Sequence, residues 1–301
     1  MVTMLHHTAL LLDMDGVLAE VEGSFRAAIL QTCAAFGTKV EGADVARAKA
    51  AGGANNDWVL TETLIRAWLA DNGGAPHPDL AAAAAEAGPV TFEGVKARFE
   101  LLYQGDPERG VPGLCETETL IPEVEVLREL HRRTRGQMAI VTGRPRADCM
   151  NFLRTHDLEA LFPVCACMED GPPKPDPFPV TMAIEGLCKI RLTEPEHCIM
   201  VGDTPDDVQA AYAAGTTAVG VWLPKDHARY LLGDGAEAEP AIIAAMRKLV
   251  PGQGQGKGGG DGEGKGDGGG GGGGGDGGDG DGLDIIRPGL AGLLKYFPRD
   301  V

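Results

Sequence analysis

Short runs of apolar residues without alternation punctuate the chain, and each ends in a knot of acidic, hydroxyl or basic residues. Ala9-Leu10-Leu11-Leu12 ends at Asp13, Met138 to Thr142 at Gly143-Arg144, and His197 to Val201 at Gly202-Asp203. An unbroken run of this kind predicts a strand buried on both faces of a parallel sheet. A fourth run, Thr217 to Trp222, follows a helix predicted over Asp206 to Ala214, which stops at Gly215, a residue suited to a left-handed cap. Ahead of the second run, Val124, Leu127 and Leu130 recur at helical spacing within Pro122 to Arg135, with Pro122 at a first-turn position. Strands alternating with helices predict an α/β fold, a doubly wound, Rossmann-like parallel sheet.

Between the first strand and Pro122 the pattern changes. Ser24 to Phe36, Ala43 to Ala51, Asp57 to Ala70, Asp79 to Ala87 and Phe92 to Tyr103 are rich in Ala, Leu and charge, and are separated by Gly and Pro. They predict an inserted all-helical cap, placed over the carboxyl ends of the strands, where open α/β sheets bind ligands. Near the end, Leu283-Asp284-Ile285-Ile286 predicts one more strand and Pro288 to Phe297 an amphipathic helix. The expected organisation is a core domain of residues 1–16, 116–250 and 283–301, a cap of residues 17–115, and an insert at 251–282. Of 45 glycines, 21 lie in that insert, which has too little apolar surface to offset its ordering entropy and is expected to be disordered.

Composition narrows the partners. With 44 acidic against 27 basic residues the formal charge is -17, which repels phosphate backbones and anionic lipid and argues against nucleic acid or a membrane. No run of apolar residues has the length of a membrane span. Seven cysteines, odd in number and without a paired framework, fit a reducing compartment, and Cys165 and Cys167 are expected at a strand or loop edge and not in a metal site. No basic segment followed by a separable apolar stretch opens the chain. A cytoplasmic setting is therefore expected, or a chloroplast stroma if a transit peptide has been removed. The composition is silent on oligomeric state.

The chemistry lies at the strand ends. Asp13 and Asp15 flank Met14 and precede Gly16, which allows the turn that brings both carboxylates to one pocket, although the same pattern occurs in plain turns and calcium loops. Thr142, Gly143 and Arg144 offer a hydroxyl, a close backbone and a cation to a phosphoryl oxygen. Lys174 lies in a proline-stiffened segment as a fixed positive charge, and Asp203, Asp206 and Asp207 form an acidic cluster of the kind that holds a hard divalent cation. Each could be bland alone. All four, in this order at predicted strand ends, resemble the motif set of the haloacid dehalogenase-like hydrolases over nearly the whole chain outside the glycine tract. A helical insertion straight after the first motif is similar to the small-cap subfamily that includes phosphoglycolate phosphatases and β-phosphoglucomutases.

That resemblance implies roles. Asp13 would be the nucleophile that forms an aspartyl-phosphate, and Asp15 the acid that protonates the leaving oxygen and then activates water. Thr142 would bind the transferring phosphoryl group and Lys174 would neutralise its charge. Mg²⁺ would be held by Asp13, Asp203 and the backbone carbonyl of Asp15, with Asp207, more than Asp206, supporting the metal or Lys174. Asp15 favours a leaving group that needs a proton, hence a phosphate ester over a halide. Phosphonate hydrolysis through a cap lysine would call on Lys39, Lys49 or Lys96, none of which the sequence singles out.

For substrate choice the cap stretch Gly52 to Trp58 stands out. Asn55 and Asn56 could bind a small phosphorylated metabolite, and Trp58 offers a stacking face. Asn56 or Asp57 could instead start the next helix, with Trp58 packed inside the cap. Arg47 and Lys49 could meet an anionic substrate or sit on a solvated face. This stretch, with Val141 to Asp148 and Met168 to Pro177, resembles a group from photosynthetic organisms and bacteria that is sometimes joined to a histidine-biosynthesis dehydratase. The implied activity is phosphatase action on a small monoester, phosphoglycolate, histidinol phosphate or a sugar phosphate. The alternatives are a phosphomutase and an idle binding or regulatory protein. His6 and His7 precede the first strand, at the wrong end of the sheet for catalysis.

Overall fold

A computed structural model describes residues 7–221, 241–250, 283–286 and 290–298. Six parallel strands form the central sheet: β1 Ala9–Leu12, β2 Met138–Val141, β3 Val164–Ala166, β4 Cys198–Gly202, β5 Thr217–Val221 and β6 Asp284–Ile286, in the order β6-β5-β4-β1-β2-β3. Leu10 pairs with Met138 on one side and with Ile199 on the other. β1 is completely buried, and its side chains divide by parity as a strand with two covered faces requires. Leu10 and Leu12 join a core with α6 Val124–Arg133 and α7 Arg146–Thr155. Ala9 and Leu11 join another with α8 Phe178–Cys188, α9 Pro205–Ala213 and α10 Ala241–Arg247. After β3 the chain crosses to β4, on the far side of β1, so the strand order reverses between β1 and β4. Crevices at such reversals are where open α/β sheets bind ligands.

Between β1 and α6 the helices α1 Ala27–Ala35, α2 Gly42–Ala51, α3 Asp57–Asp71, α4 Ala81–Ala87 and α5 Phe92–Gln104 follow the expected cap pattern. Phe25, Ile29, Ile65, Phe99 and Tyr103 pack at its centre. The segments leading into and out of the cap pair as a short antiparallel ribbon, Ala19–Glu20 with Thr119–Leu120.

Cys165 lies in β3 and Cys167 just after it, at the expected strand edge, whereas α7 and α8 are helices that the apolar pattern does not announce. One expectation changes. The helix expected over Pro288 to Phe297 is, among the described residues, a short 3-10 turn, Ala291–Lys295. Prolines bracket the segment and Leu290 adopts a left-handed backbone, φ 60°, which leaves too few residues for a free-standing α-helix. Its apolar pattern still serves: Leu290, Leu293 and Phe297 are buried, and Arg133 Nη1 donates to the carbonyls of Leu294 and Phe297, each at 2.9 Å. The insert at 251–282 lies outside the described residues. Arg247 Nη1 donates to the carbonyl of Leu283 at 3.3 Å, which brings α10 against the start of β6.

Candidate active site

The carboxyl ends of β1, β2 and β4 carry the site. The Asp13 amide donates to the Val201 carbonyl at 2.9 Å, so sheet pairing continues past β1 and fixes the nucleophile candidate beside β4. Gly16 turns the chain with φ 72°, and any Cβ there would collide with the Asp203 carboxylate. Lys174 Nζ reaches in from the proline-rich segment and meets Asp13 Oδ1 at 2.9 Å, Asp207 Oδ1 at 2.5 Å and the Val141 carbonyl at 3.0 Å. The other Asp207 oxygen accepts from the Thr204 amide at 3.0 Å and the Thr204 hydroxyl at 2.6 Å, in the reciprocal cap that starts α9. Asp207 is thus committed to Lys174 and to its own helix.

Asp13, Asp203 and Asp207 each place a carboxylate oxygen within 4.8 Å of the others, all buried. Burial raises the Asp13 carboxyl well above the usual carboxylate range, with Lys174 opposing and Asp207 and Asp203 adding to the rise. Burial and the charge of Asp207 push Asp203 up to about 7, against Arg26 and Lys49. For Lys174 burial acts downward, but Asp13 and Asp207 outweigh it and hold the ammonium above its ordinary value. Crowded acids whose ionisation is suppressed, around one lysine, make a donor set suited to a hard divalent cation such as Mg²⁺. The oxygens of Asp13 and Asp203 fit it best, because both of those of Asp207 have partners.

Thr142 lies at the end of β2, where its Oγ1 accepts from the Arg144 amide at 3.2 Å. Arg144, expected to face substrate, instead directs Nε to Asp15 Oδ1 at 2.6 Å and Nη1 to Glu118 Oε2 at 2.8 Å. Gly143 lies under the cap, where a Cβ would stand 2.8 Å from the Asn55 carbonyl. Asn55 Nδ2 donates to the Lys174 carbonyl at 2.7 Å and to Asp206 Oδ2 at 2.6 Å, and the Gly53 amide donates to both Asp206 oxygens at 2.9 Å. Asp206 therefore latches the cap to the core. Asn56 caps α3, accepting from the Trp58 and Val59 amides, and Trp58 donates to Glu100 Oε1 at 2.8 Å inside the cap. These two follow the helix-start reading.

A small pocket separates the carboxylates of Asp13, Asp15 and Asp203 from Arg26, Lys49 and Asn55 of the cap. Lys49 pairs with Asp57 at 3.0 Å, whereas Arg47 pairs with Asp44 on the surface. Arg26 Nε is buried with no hydrogen-bond partner among the described residues. Lys39 pairs with exposed Asp79 and Lys96 lies over the Trp58 ring, both away from the pocket. Arg26 and Glu118 were not singled out by sequence; Arg26 lies in the turn that opens the first cap helix and Glu118 in the segment leaving the cap, neither with a local motif.

A family model for haloacid dehalogenase-like hydrolases matches residues 7–215, and the chain belongs to that family. Among curated proteins it is 46% identical over 242 residues to an imidazoleglycerol-phosphate dehydratase of Phytophthora nicotianae, covering 80% of this chain but 48% of that protein, about half its length. It is 28% identical to a phosphoglycolate phosphatase of Pseudomonas syringae pv. syringae, over 81% of this chain and 78% of the relative. Among solved structures, one described as a predicted phosphoglycolate phosphatase from Haemophilus somnus 129pt superposes with a TM-score of 0.53 at 21% identity, over 73% of this chain and 87% of that one, and so shares the fold. No helix among the described residues is long and apolar enough to cross a membrane.

Proposed function

We propose that the chain is a Mg²⁺-dependent phosphatase acting on a small organic phosphate monoester through an aspartyl-phosphate at Asp13. The observation that carries this reading is the position of Lys174 Nζ between Asp13 and Asp207, beside Asp203, at the strand-order reversal. A divalent cation held by Asp13 and Asp203 would supply charge stabilisation to the phosphoryl oxygens. Asp13 Oδ attacks phosphorus as the bond to the leaving oxygen breaks, and Asp15 delivers a proton to that oxygen. Asp15 then takes a proton from the water that cleaves the Asp13–phosphorus linkage. Lys174 holds Asp13 in direction and balances negative charge, and the Thr142 hydroxyl at the neighbouring strand end would bind a phosphoryl oxygen.

The cap favours an anionic substrate. Arg26 and Lys49 face the pocket, Lys49 paired with Asp57 and the Arg26 Nε without a hydrogen-bond partner among the described residues, so a second negative group such as the carboxylate of phosphoglycolate complements them better than the amine and imidazole of histidinol phosphate. Similarity to the Phytophthora dehydratase keeps histidinol phosphate in the comparison. The test is phosphate release from a panel containing both compounds and common sugar phosphates, with Mg²⁺ and with EDTA. Expected is metal-dependent release, highest with phosphoglycolate, and at least about a thousandfold loss in Asp13→Asn. Preference for histidinol phosphate would overturn the charge argument; an isomerised sugar phosphate in place of free phosphate would make the protein a mutase. Retained turnover in Asp13→Asn would remove the mechanism.

A further inference from the structure

Arg144 is a buried cation held between two acids from different parts of the chain. Its side chain is 1% exposed, with Asp15 from the catalytic turn at 2.6 Å and Glu118 from the segment leaving the cap at 2.8 Å. Glu118 is fixed in turn: Oε1 accepts from the Ser24 hydroxyl at 2.8 Å and the Tyr103 hydroxyl at 3.0 Å. The guanidinium also lies 4.7 Å from the Phe25 ring and 5.5 Å from that of Phe152. Two nearby rings and a carboxylate on each of Nε and Nη1 restrict its orientation. A surface arginine could supply charge without this; a buried one so enclosed sets the position of whatever it grips.

We infer that Arg144, oriented by Glu118 and Tyr103, is a positioning residue for Asp15: it anchors Oδ1 and thereby turns Oδ2 toward the leaving oxygen of the substrate. The inference rests on the proposed phosphatase reading. Ser24 and Glu118 flank the paired ribbon at the base of the cap, and Tyr103 ends α5, so the anchor is complete only when the cap segments are docked. Proton delivery by Asp15 is thereby tied to a seated cap. Without Glu118 the guanidinium keeps Asp15 but loses the second acid that fixes its plane.

The experiment measures single-turnover phosphorylation of Asp13 in Glu118→Gln and Tyr103→Phe with two substrates. One is the best alkyl phosphate from the panel, whose alkoxide must be protonated; the other is p-nitrophenyl phosphate, whose phenolate leaves without help. For Glu118→Gln the expected loss is about tenfold to a hundredfold with the alkyl ester and under about threefold with the aryl ester, with KM little changed. Tyr103→Phe gives the same signature at smaller size. In an Asp15→Asn background neither substitution should cost anything further, since both act through Asp15. Equal losses with both leaving groups, or the full loss persisting in Asp15→Asn, would overturn the inference. Should Glu118→Gln fail to fold, Tyr103→Phe decides by the same criteria. Absence of turnover with any substrate in the unaltered protein would instead remove the phosphatase reading itself.

Discussion

Asp203 and Asp13 are acids held where ionisation is unfavourable, and this has a measurable consequence for the metal-free protein. Asp203 takes up its proton near pH 7 in the folded chain against an ordinary value of 3.8, so between these limits the native state binds more protons than the unfolded one. Stability therefore falls as pH rises through this window, and the raised Asp13 acts in the same direction. Melting of the metal-free protein should drop across it, and Mg²⁺ should raise the melting temperature more at about pH 8 than at about pH 5, because it replaces the missing protons. A metal response independent of pH would argue against coordination by these acids. Lys174→Met should cost about a hundredfold or more in kcat and also destabilise the fold, since it leaves Asp13 and Asp207 facing each other unpaired. Asp13, Asp203 and Lys174 were legible because each sits at the end of an apolar run or in a proline-bounded loop. The employment of Arg144 was not: its partner Glu118 arrives through tertiary pairing of two cap-flanking segments, and no spacing in the chain records that.

At the scale of elements, the loop between α2 and α3 and the first turn of α9 are joined by Asp206. Asp206→Ala should release that loop, raising KM about tenfold while disturbing the chemistry less, with faster proteolysis of the cap as the independent reading. A change in kcat alone would mean that Asp206 acts elsewhere. The strands around Leu10, Ile140 and Ile199 and the cap helices declared themselves through unbroken or helical apolar spacing. β3, with three residues, is too short to show a period, and α8 is apolar enough on several sides that it reads equally as a buried strand. The C-terminal turn carried the spacing of a helix without the length of one.

For the whole molecule, the order of the strands matters more than their number. β6 comes last in the chain yet pairs with β5, and the turn after it fills the face beside α6. A chain ending at residue 282 would lack β6 and expose the surface covered by Leu290, Leu293 and Phe297, and its melting temperature should fall by at least about 10 °C. An unchanged melting temperature would mean that the last segment merely decorates the core. The contact between Arg247 and Leu283 carries a different lesson. The side chain of the last residue of α10 holds the carbonyl just ahead of β6, so the helix before residue 250 and the strand after residue 283 are tied to each other directly. That tie lies at the amino end of β6, opposite the strand ends that carry the site, so a reporter domain whose own termini lie close together, spliced between residues 250 and 283, should leave turnover intact and make a sensor of the whole enzyme.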